Sequence, residues 1–112
     1  MDNKLIIVTS DSLGQGNKEL GEVLMENFFT VLRQNESLPK VIFFLNSGVR
    51  LLSENHLVST QLEELKKLGV ELLACKTCVD FYDLANKMKI GELSNMKQLI
   101  TLSSQMETIT IG

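Results

Sequence analysis

Short apolar runs alternate along this chain with longer segments in which apolar residues recur every three or four positions. The runs at residues 4–9, 41–45, 70–74 and 107–111 are brief and rich in β-branched or leucine side chains, as is typical of buried strands. The segments between them have the period of helices. Strands separated by helices predict right-handed crossovers, so we expect a three-layer α/β/α sandwich with a mostly parallel sheet of four to five strands.

The segment after the first strand predicts a helix that begins at an Asn17 cap. Asn27 is the one polar residue in its apolar stripe, and we expect this stripe to face the core. The apolar members of the stripe are Leu20, Val23, Leu24, Phe28, Val31 and Leu32.

Further helices are predicted between the later strands. In the second, Thr60 and Glu63 have the spacing of a capping box, and Gly69 fits the position just beyond the helix end. The third is predicted over residues 77–88, with Phe81 on its packed side, and a fourth precedes the last strand. These elements predict the order β-α-β-α-β-α-α-β, but the sequence leaves the order of strands within the sheet open.

Composition and charge narrow the classes of function. The 112 residues, of which 44% are hydrophobic and 22% charged, predict a single soluble domain over residues 1–112. No apolar run approaches the roughly 20 residues of a membrane span, and the N-terminus does not resemble a signal peptide, so we expect no membrane association. The net charge of −3 and the scattered lysines argue against nucleic-acid binding.

The two cysteines of the chain lie together in the stretch "ACKTC", as Cys75 and Cys78. Thr77 and Asp80 have capping-box spacing, so a helix is predicted to begin beside the thiols. A helix start and the charge of Lys76 would both favour a thiolate, and we expect one of the two cysteines to have a lowered pKa. Two cysteines without a secretion signal also indicate a reducing compartment, so a cytoplasmic location is expected.

Other interpretations of the cysteine pair stay open at this point. Both residues could be structural, packed at a strand-to-helix junction. A structural zinc site needs about four ligands, whereas the chain offers these two thiols and His56, so no metal is expected.

Polar and reactive residues follow three of the predicted strands, and the carboxyl ends of parallel strands meet at one edge of a sheet. The two glycine-containing loops could bind an anion, although the first lacks the G-x-G-x-x-G spacing, or they could be turns. We expect all three groups to line one site. They are Ser10, Asp11, Ser12, Gly14 and Gly16 after the first strand, Asn46, Ser47 and Gly48 after the second, and Cys75, Lys76 and Thr77 after the third.

The stretches "VTSDSLGQGNKELGEVLM", "FFLNSGVRL" and "LEELKKLGVELLACKTCVDFYDL" resemble the DsrE/DsrF-like sulfur-relay family. Within it they are most similar to the C-terminal domain of the YedF branch, which is associated with selenium metabolism. The resemblance implies a DsrE-like α/β sandwich that often oligomerises, and a persulfide-bearing cysteine at the position of Cys75. Cys78 matches the second cysteine of the branch, whereas Lys76 stands where the branch usually has glycine.

These observations together predict a cytoplasmic sulfur or selenium carrier, a sulfurtransferase-like carrier rather than an enzyme with turnover. Cys75 would accept the sulfur and Cys78 would be the resolving thiol, with no bound cofactor. The expected partners are sulfur-donor and sulfur-acceptor proteins and further copies of the chain, in a dimer or trimer. The alternative is a non-enzymatic interaction module or small-molecule-binding module in which the cysteines are structural.

Overall fold

The structure, a computed structural model, describes residues 1–54 and 56–112. The strands are β1 (Lys4–Val8), β2 (Val41–Phe44), β3 (Glu71–Cys75), β4 (Glu92–Ser94) and β5 (Glu107–Ile111). The α-helices are α1 (Lys18–Gln34), α2 (Ser59–Lys67), α3 (Lys76–Phe81) and α4 (Met96–Gln105), and a 3₁₀ helix spans Asn46–Leu52. In this part of the chain, no helix combines the length and the apolar character that crossing a membrane requires.

All five strands are parallel and lie in the order β4-β3-β2-β1-β5. The predicted α/β fold class is therefore confirmed. The sequence missed β4, because a three-residue strand is too short to show a period. It also extended the third helix too far: α3 ends at Phe81, and Asp83 then turns the chain with a φ of 56°.

The connections distribute the helices over both faces of the sheet. From β1 to β4 the chain crosses the sheet in one direction, so right-handed crossovers place α1, α2 and α3 on one face. The return from β4 to β5 places α4 on the other. Two buried clusters correspond to these faces: Phe29 and Leu62 pack with Phe44 in one, and Leu99 packs with Phe43 in the other.

Helix α1 turns a different side to the core from the one that the sequence predicts. Its buried residues are Gly21, Met25, Phe29 and Leu32. Of the predicted stripe, Leu32 is buried and Phe28 half-buried, but Leu20, Val23, Leu24 and Val31 are exposed. Apolar residues occupy two sides of this helix, and periodicity alone does not say which side meets the sheet. The Asn17 cap is confirmed, since its Oδ1 accepts a hydrogen bond of 2.8 Å from the Leu20 N–H.

The ends of α2 follow the prediction only in part. The helix begins at Ser59 without a side-chain cap, so Thr60 lies inside the first turn and the predicted capping box is wrong. Gly69 has a φ of 99°, which confirms the predicted glycine beyond the helix end. At the start of α4, the side chain of Asn95 accepts a hydrogen bond from the Gln98 N–H and caps the helix.

The orientation of α1 can be tested with two truncations in the same helix. We expect Met25→Ala to lower the free energy of unfolding by about 2–5 kcal/mol, because it leaves a cavity beneath the helix. We expect Val23→Ala, on the exposed side, to change it by less than about 0.5 kcal/mol. Urea unfolding followed by circular dichroism measures both. A larger loss from Val23→Ala than from Met25→Ala would contradict this orientation.

Candidate functional site

The parallel sheet brings the ends of β1, β2 and β3 to one edge, and hydrogen bonds join the loops that follow β1 and β2. The Leu45 N–H donates to the Val8 carbonyl over 2.8 Å. The Asp11 N–H donates to Ser47 Oγ over 3.3 Å. Gly48 fits so closely against β1 that a Cβ there would lie 2.4 Å from the Val8 carbonyl oxygen. The glycine is therefore required for this close approach.

Both cysteines are free thiols at this edge. Cys75 is the last residue of β3 and the residue before the first turn of α3, and its side chain is only 6% exposed. Cys78 lies within α3, is half-buried and packs against the cluster that contains Cys75. The direct link between β3 and α3 therefore places the two thiols near each other, one inside the protein and one nearer the surface.

Asn46 contacts the sulfur of Cys78, and Tyr82 in turn contacts Asn46. The Asn46 N–H donates to Cys78 Sγ over 3.1 Å. The Tyr82 hydroxyl donates to Asn46 Oδ1 over 2.8 Å. Asn46 has a φ of 50°, in the left-handed region, where a residue other than glycine costs roughly 1–2 kcal/mol. Such strain at a residue that contacts a reactive atom is a recurring feature of functional sites.

The pKa of the Cys78 thiol is raised, mainly by burial, which disfavours the thiolate. The neighbouring Cys75 thiol also raises the pKa of Cys78, whereas the Asn46 N–H lowers it. The expected lowering of a thiol pKa is therefore wrong for Cys78. Its side chain lies against both core clusters, which sequence spacing does not reveal.

The charge of Lys76 is paired within α3. Its ammonium group forms an ion pair of 2.7 Å with Asp80, one turn further along α3. Because the charge is paired in this way and largely exposed to water, the lysine contributes little to the field at the sulfur atoms.

A small cavity opens beside Cys78, with a volume of about 270 Å³. Its walls are almost wholly apolar, and Phe81 in them is 81% exposed. The residues that line it are Asn46, Thr77, Cys78, Phe81 and Tyr82. Sequence reasoning predicted the first three and missed the two aromatic residues. The available signal was their spacing, since they follow Cys78 by three and four positions and so share its side of a helix.

The loop after β1 lies beside this cavity without lining it. Arg50 links the two: its Nε is 3.9 Å from Asp11 Oδ2, and its guanidinium carbon is 5.5 Å from the centre of the Tyr82 ring. Ser10 and Ser12 are half-buried within the loop, where Ser10 Oγ accepts the Ser12 N–H.

The two loop glycines do not line the cavity. Gly14 and Gly16 have φ values of 82° and 134°, and a Cβ added at either position would meet no atom within 4 Å. The positive φ values alone explain why glycine occupies both positions. Their part in a site stays a prediction.

His56 lies outside the cavity wall. Its Nδ1 accepts the Val58 N–H over 3.3 Å, and burial lowers its pKa, an effect that the nearby Asp11 opposes. Within residues 1–54 and 56–112, no group of three His, Cys, Asp or Glu side chains is arranged to hold a metal ion.

Known proteins share this sequence pattern and fold. Residues 4–110 match the model of the DsrE/DsrF-like family. The solved structure of the ychN protein from E. coli superposes with a TM-score of 0.72 at 18% identity, covering 98% of this chain and 99% of that chain. A protein of unknown function from Methanobacterium thermoautotrophicum superposes with a TM-score of 0.68 at 15% identity, covering 97% of this chain and 99% of that chain. A conserved protein of unknown function from Bacteroides thetaiotaomicron superposes with a TM-score of 0.66 at 17% identity, covering 97% of this chain and 95% of that chain. No curated protein matches the sequence.

The protonation of Cys78 can be measured by alkylation, because only the thiolate reacts. Burial favours the neutral thiol, so the rate of iodoacetamide alkylation should reach its midpoint at a higher pH in the folded chain than in the urea-denatured chain. Trypsin cleaves after Lys76, so Cys75 and Cys78 appear in separate peptides, 68–76 and 77–87, for mass spectrometry. A folded-state midpoint for Cys78 at or below the denatured-state value would contradict the burial of this thiol.

Proposed function

The chain belongs to the DsrE/DsrF-like family, and from that premise we propose that it is a sulfur carrier that holds a sulfane sulfur atom as a persulfide on Cys75. The observation that carries the proposal is the proximity of two free thiols at the carboxyl edge of the sheet, one buried and the other at a cavity. Burial of Cys75 would shield its persulfide from water and oxidants, which suits storage.

Cys78 has the position of a thiol that exchanges sulfur with partners. A donor persulfide delivers its outer sulfur when the Cys78 thiolate attacks that atom, and the donor leaves as a thiolate. The Cys75 thiolate then attacks the same outer sulfur, and the bond between it and Cys78 breaks. Each step forms one S–S bond and breaks another, so no external oxidant or reductant is needed. The reverse sequence returns the sulfur to the cavity for an acceptor thiol.

The partners are a sulfur-donor protein and a sulfur-acceptor protein that reach the cavity in turn, and the steps require thiols but no cofactor. The exposed ring of Phe81 beside Cys78 offers an apolar contact for such a partner. Residues 1–112 would act as one domain, in a reducing compartment such as the cytoplasm, where the thiols remain free.

The resemblance to the YedF branch extends the proposal to selenium. The same two thiols could hold a selenium atom in place of the outer sulfur, because both elements bind a thiolate in the same way. Lys76, at a position where the branch usually has glycine, is accommodated by its ion pair with Asp80. Loading the chain with a desulfurase supplied with either cysteine or selenocysteine would compare the two elements directly.

The raised pKa of Cys78 favours one alternative, an interaction or small-molecule-binding module with structural cysteines. A thiol that stays protonated is a weaker nucleophile. The two functions differ in a simple observation: a carrier gains sulfur from a donor, whereas the module binds its ligand in the cavity with both thiols unchanged.

Sulfur loading tests the proposal. After incubation with a cysteine desulfurase and cysteine, followed by iodoacetamide to cap the persulfide, we expect peptide 68–76 to carry an added mass of about 32 Da, one sulfur atom. Cys75→Ser should abolish stable loading. Cys78→Ser should slow loading of Cys75 by at least about tenfold, because the buried thiol loses its route to the donor. Loading of peptide 77–87 alone, or of neither peptide, would exclude Cys75 as the storage site.

We also propose that the chain self-associates through the outer face of α1, defined as Leu20, Leu24 and Val31. All three are exposed, and Leu24 and Val31 line an apolar groove of about 430 Å³. The lining of this groove shares no residue with that of the thiol cavity. A permanent contact with another copy could therefore cover the apolar face while the thiols stay accessible. An uncovered face of this kind is otherwise a liability for aggregation.

Light scattering tests this contact. We expect the wild-type chain to form a dimer or trimer at high micromolar concentration and Val31→Asp to be monomeric, because burying an unpaired carboxylate at a contact is costly. Ile100→Asp is the matched control, since Ile100 on α4 is 62% exposed and Val31 is 65% exposed. A monomeric wild-type chain, or dissociation by Ile100→Asp alone, would remove the proposed contact.

A further inference from the structure

We propose that Tyr82 is a positioning residue for the sulfur of Cys78 and acts through Asn46. The proposal deepens the function proposed above, on which it rests for the role of Cys78 as the exchanging thiol. Neither Asn46 nor Tyr82 reacts with sulfur in this scheme. Together they hold an N–H donor against the sulfur atom, and in this way they fix where the sulfur lies and how readily it becomes a thiolate.

Three hydrogen bonds form a closed ring through these residues. The Asn46 N–H donates to Cys78 Sγ over 3.1 Å. The Tyr82 hydroxyl donates to Asn46 Oδ1 over 2.8 Å. The Tyr82 N–H donates to the Cys78 carbonyl over 3.1 Å. Each residue is therefore held by the other two, although Asn46 is separated from Cys78 by 32 positions in the sequence.

The backbone conformation of Asn46 explains why its side chain needs the hydrogen bond from Tyr82. Its φ of 50° is unfavourable for a residue with a side chain, and asparagine tolerates it better than most. In this conformation the N–H donates to Cys78 Sγ. Once the tyrosine hydroxyl is removed, the amide side chain loses its partner, and the backbone is free to relax and to turn the N–H away from the sulfur.

The Tyr82 ring is itself fixed, so its hydroxyl has a defined position. Phe81 packs edge-on against it, with ring centres 5.2 Å apart and an interplanar angle of 85°. Arg50 lies over the ring, with its guanidinium carbon 5.5 Å from the centre. Tyr82 is also the C-cap residue just beyond α3, and its N–H donates to carbonyl groups of the last helical turn. The ring can therefore be kept while the hydroxyl alone is deleted.

The effect on Cys78 has a definite sign. A hydrogen bond donated to sulfur is stronger when the sulfur is negatively charged, so the Asn46 N–H favours the thiolate. Losing it leaves burial and the neighbouring thiol unopposed, and the thiol should titrate at a higher pH. The titratable and charged groups around the site are Cys75, the Lys76–Asp80 pair, Tyr82 itself, and Arg50 with Asp11.

Tyr82→Phe tests the proposal, because it removes one oxygen atom and keeps the ring. We expect alkylation of Cys78 by iodoacetamide to slow about threefold at a fixed pH below the midpoint, a shift of roughly half a pH unit in the profile. Peptide 77–87 reports on Cys78 separately from Cys75. Thermal unfolding should change little, so a shifted pH profile distinguishes positioning from a general loss of stability.

Asn46→Gly provides a second, independent variant. Glycine accepts the left-handed backbone but has no side chain for the tyrosine to hold, so we expect a shift in the same direction. The double variant should show no further shift, because both changes break the same ring. Phe28→Leu is the control: it removes an aromatic ring on α1 that does not line the cavity, and the midpoint for Cys78 should not rise.

A wild-type profile in Tyr82→Phe would overturn the proposal, and so would additive shifts in the double variant. Alkylation uses no sulfur donor, so this result stands apart from the sulfur-loading experiment. If the chain loads no sulfur but Tyr82→Phe shifts the alkylation profile, the positioning role of Tyr82 is supported and the carrier function is contradicted. If the chain loads sulfur but Tyr82→Phe leaves the alkylation profile unchanged, the carrier function is supported and the positioning role is contradicted.

Discussion

Parallel pairing of β1, β2 and β3 is the constraint on which the candidate site depends. The register sets Val8 beside Phe44, and Phe44 beside Ala74, so the three strands end within one residue of the same level. The residues that follow each strand then meet without any long loop. The close fit of Gly48 against Val8 maintains this meeting point, since a side chain there would push the second loop away from the first.

Two opposing effects act on Cys78 at this edge. Burial against the core favours the neutral thiol, while one backbone N–H, held in place by a tyrosine and an asparagine side chain, favours the thiolate. Burial prevails, and the thiol is less acidic than a free cysteine. For the proposed carrier, a protonated thiol would resist oxidation by small molecules and react only when a partner brings its persulfide into contact.

Helix α1 has two apolar sides with different surroundings. Met25 and Phe29 pack against the sheet, while Leu24 and Val31 remain at the surface. The outer side borders a groove that is separate from the thiol cavity. A carrier needs one surface that stays open for partners, and this separation leaves the outer side of α1 available for a lasting contact.

The sequence by itself determined the fold class, the placement of the cysteines at a strand end, and the local signals at Asn17 and Gly69. These depend on short-range patterns of apolar residues and on backbone preferences that a few neighbouring residues set. They were sufficient to predict that three loops share one edge, because parallel strands leave no other arrangement.

Only the tertiary structure decided the rest. The apolar pattern of α1 fits two orientations, and the shape of the sheet selects the one that buries Phe29. Strand β4 is too short to have a period, so its pairing with β3 defines it. The pKa of Cys78 depends on burial and on Asn46, 32 positions away, and Tyr82 joins the site through the same long-range contact. Spacing along the chain carries no information about such contacts, because they form only when distant segments pack together.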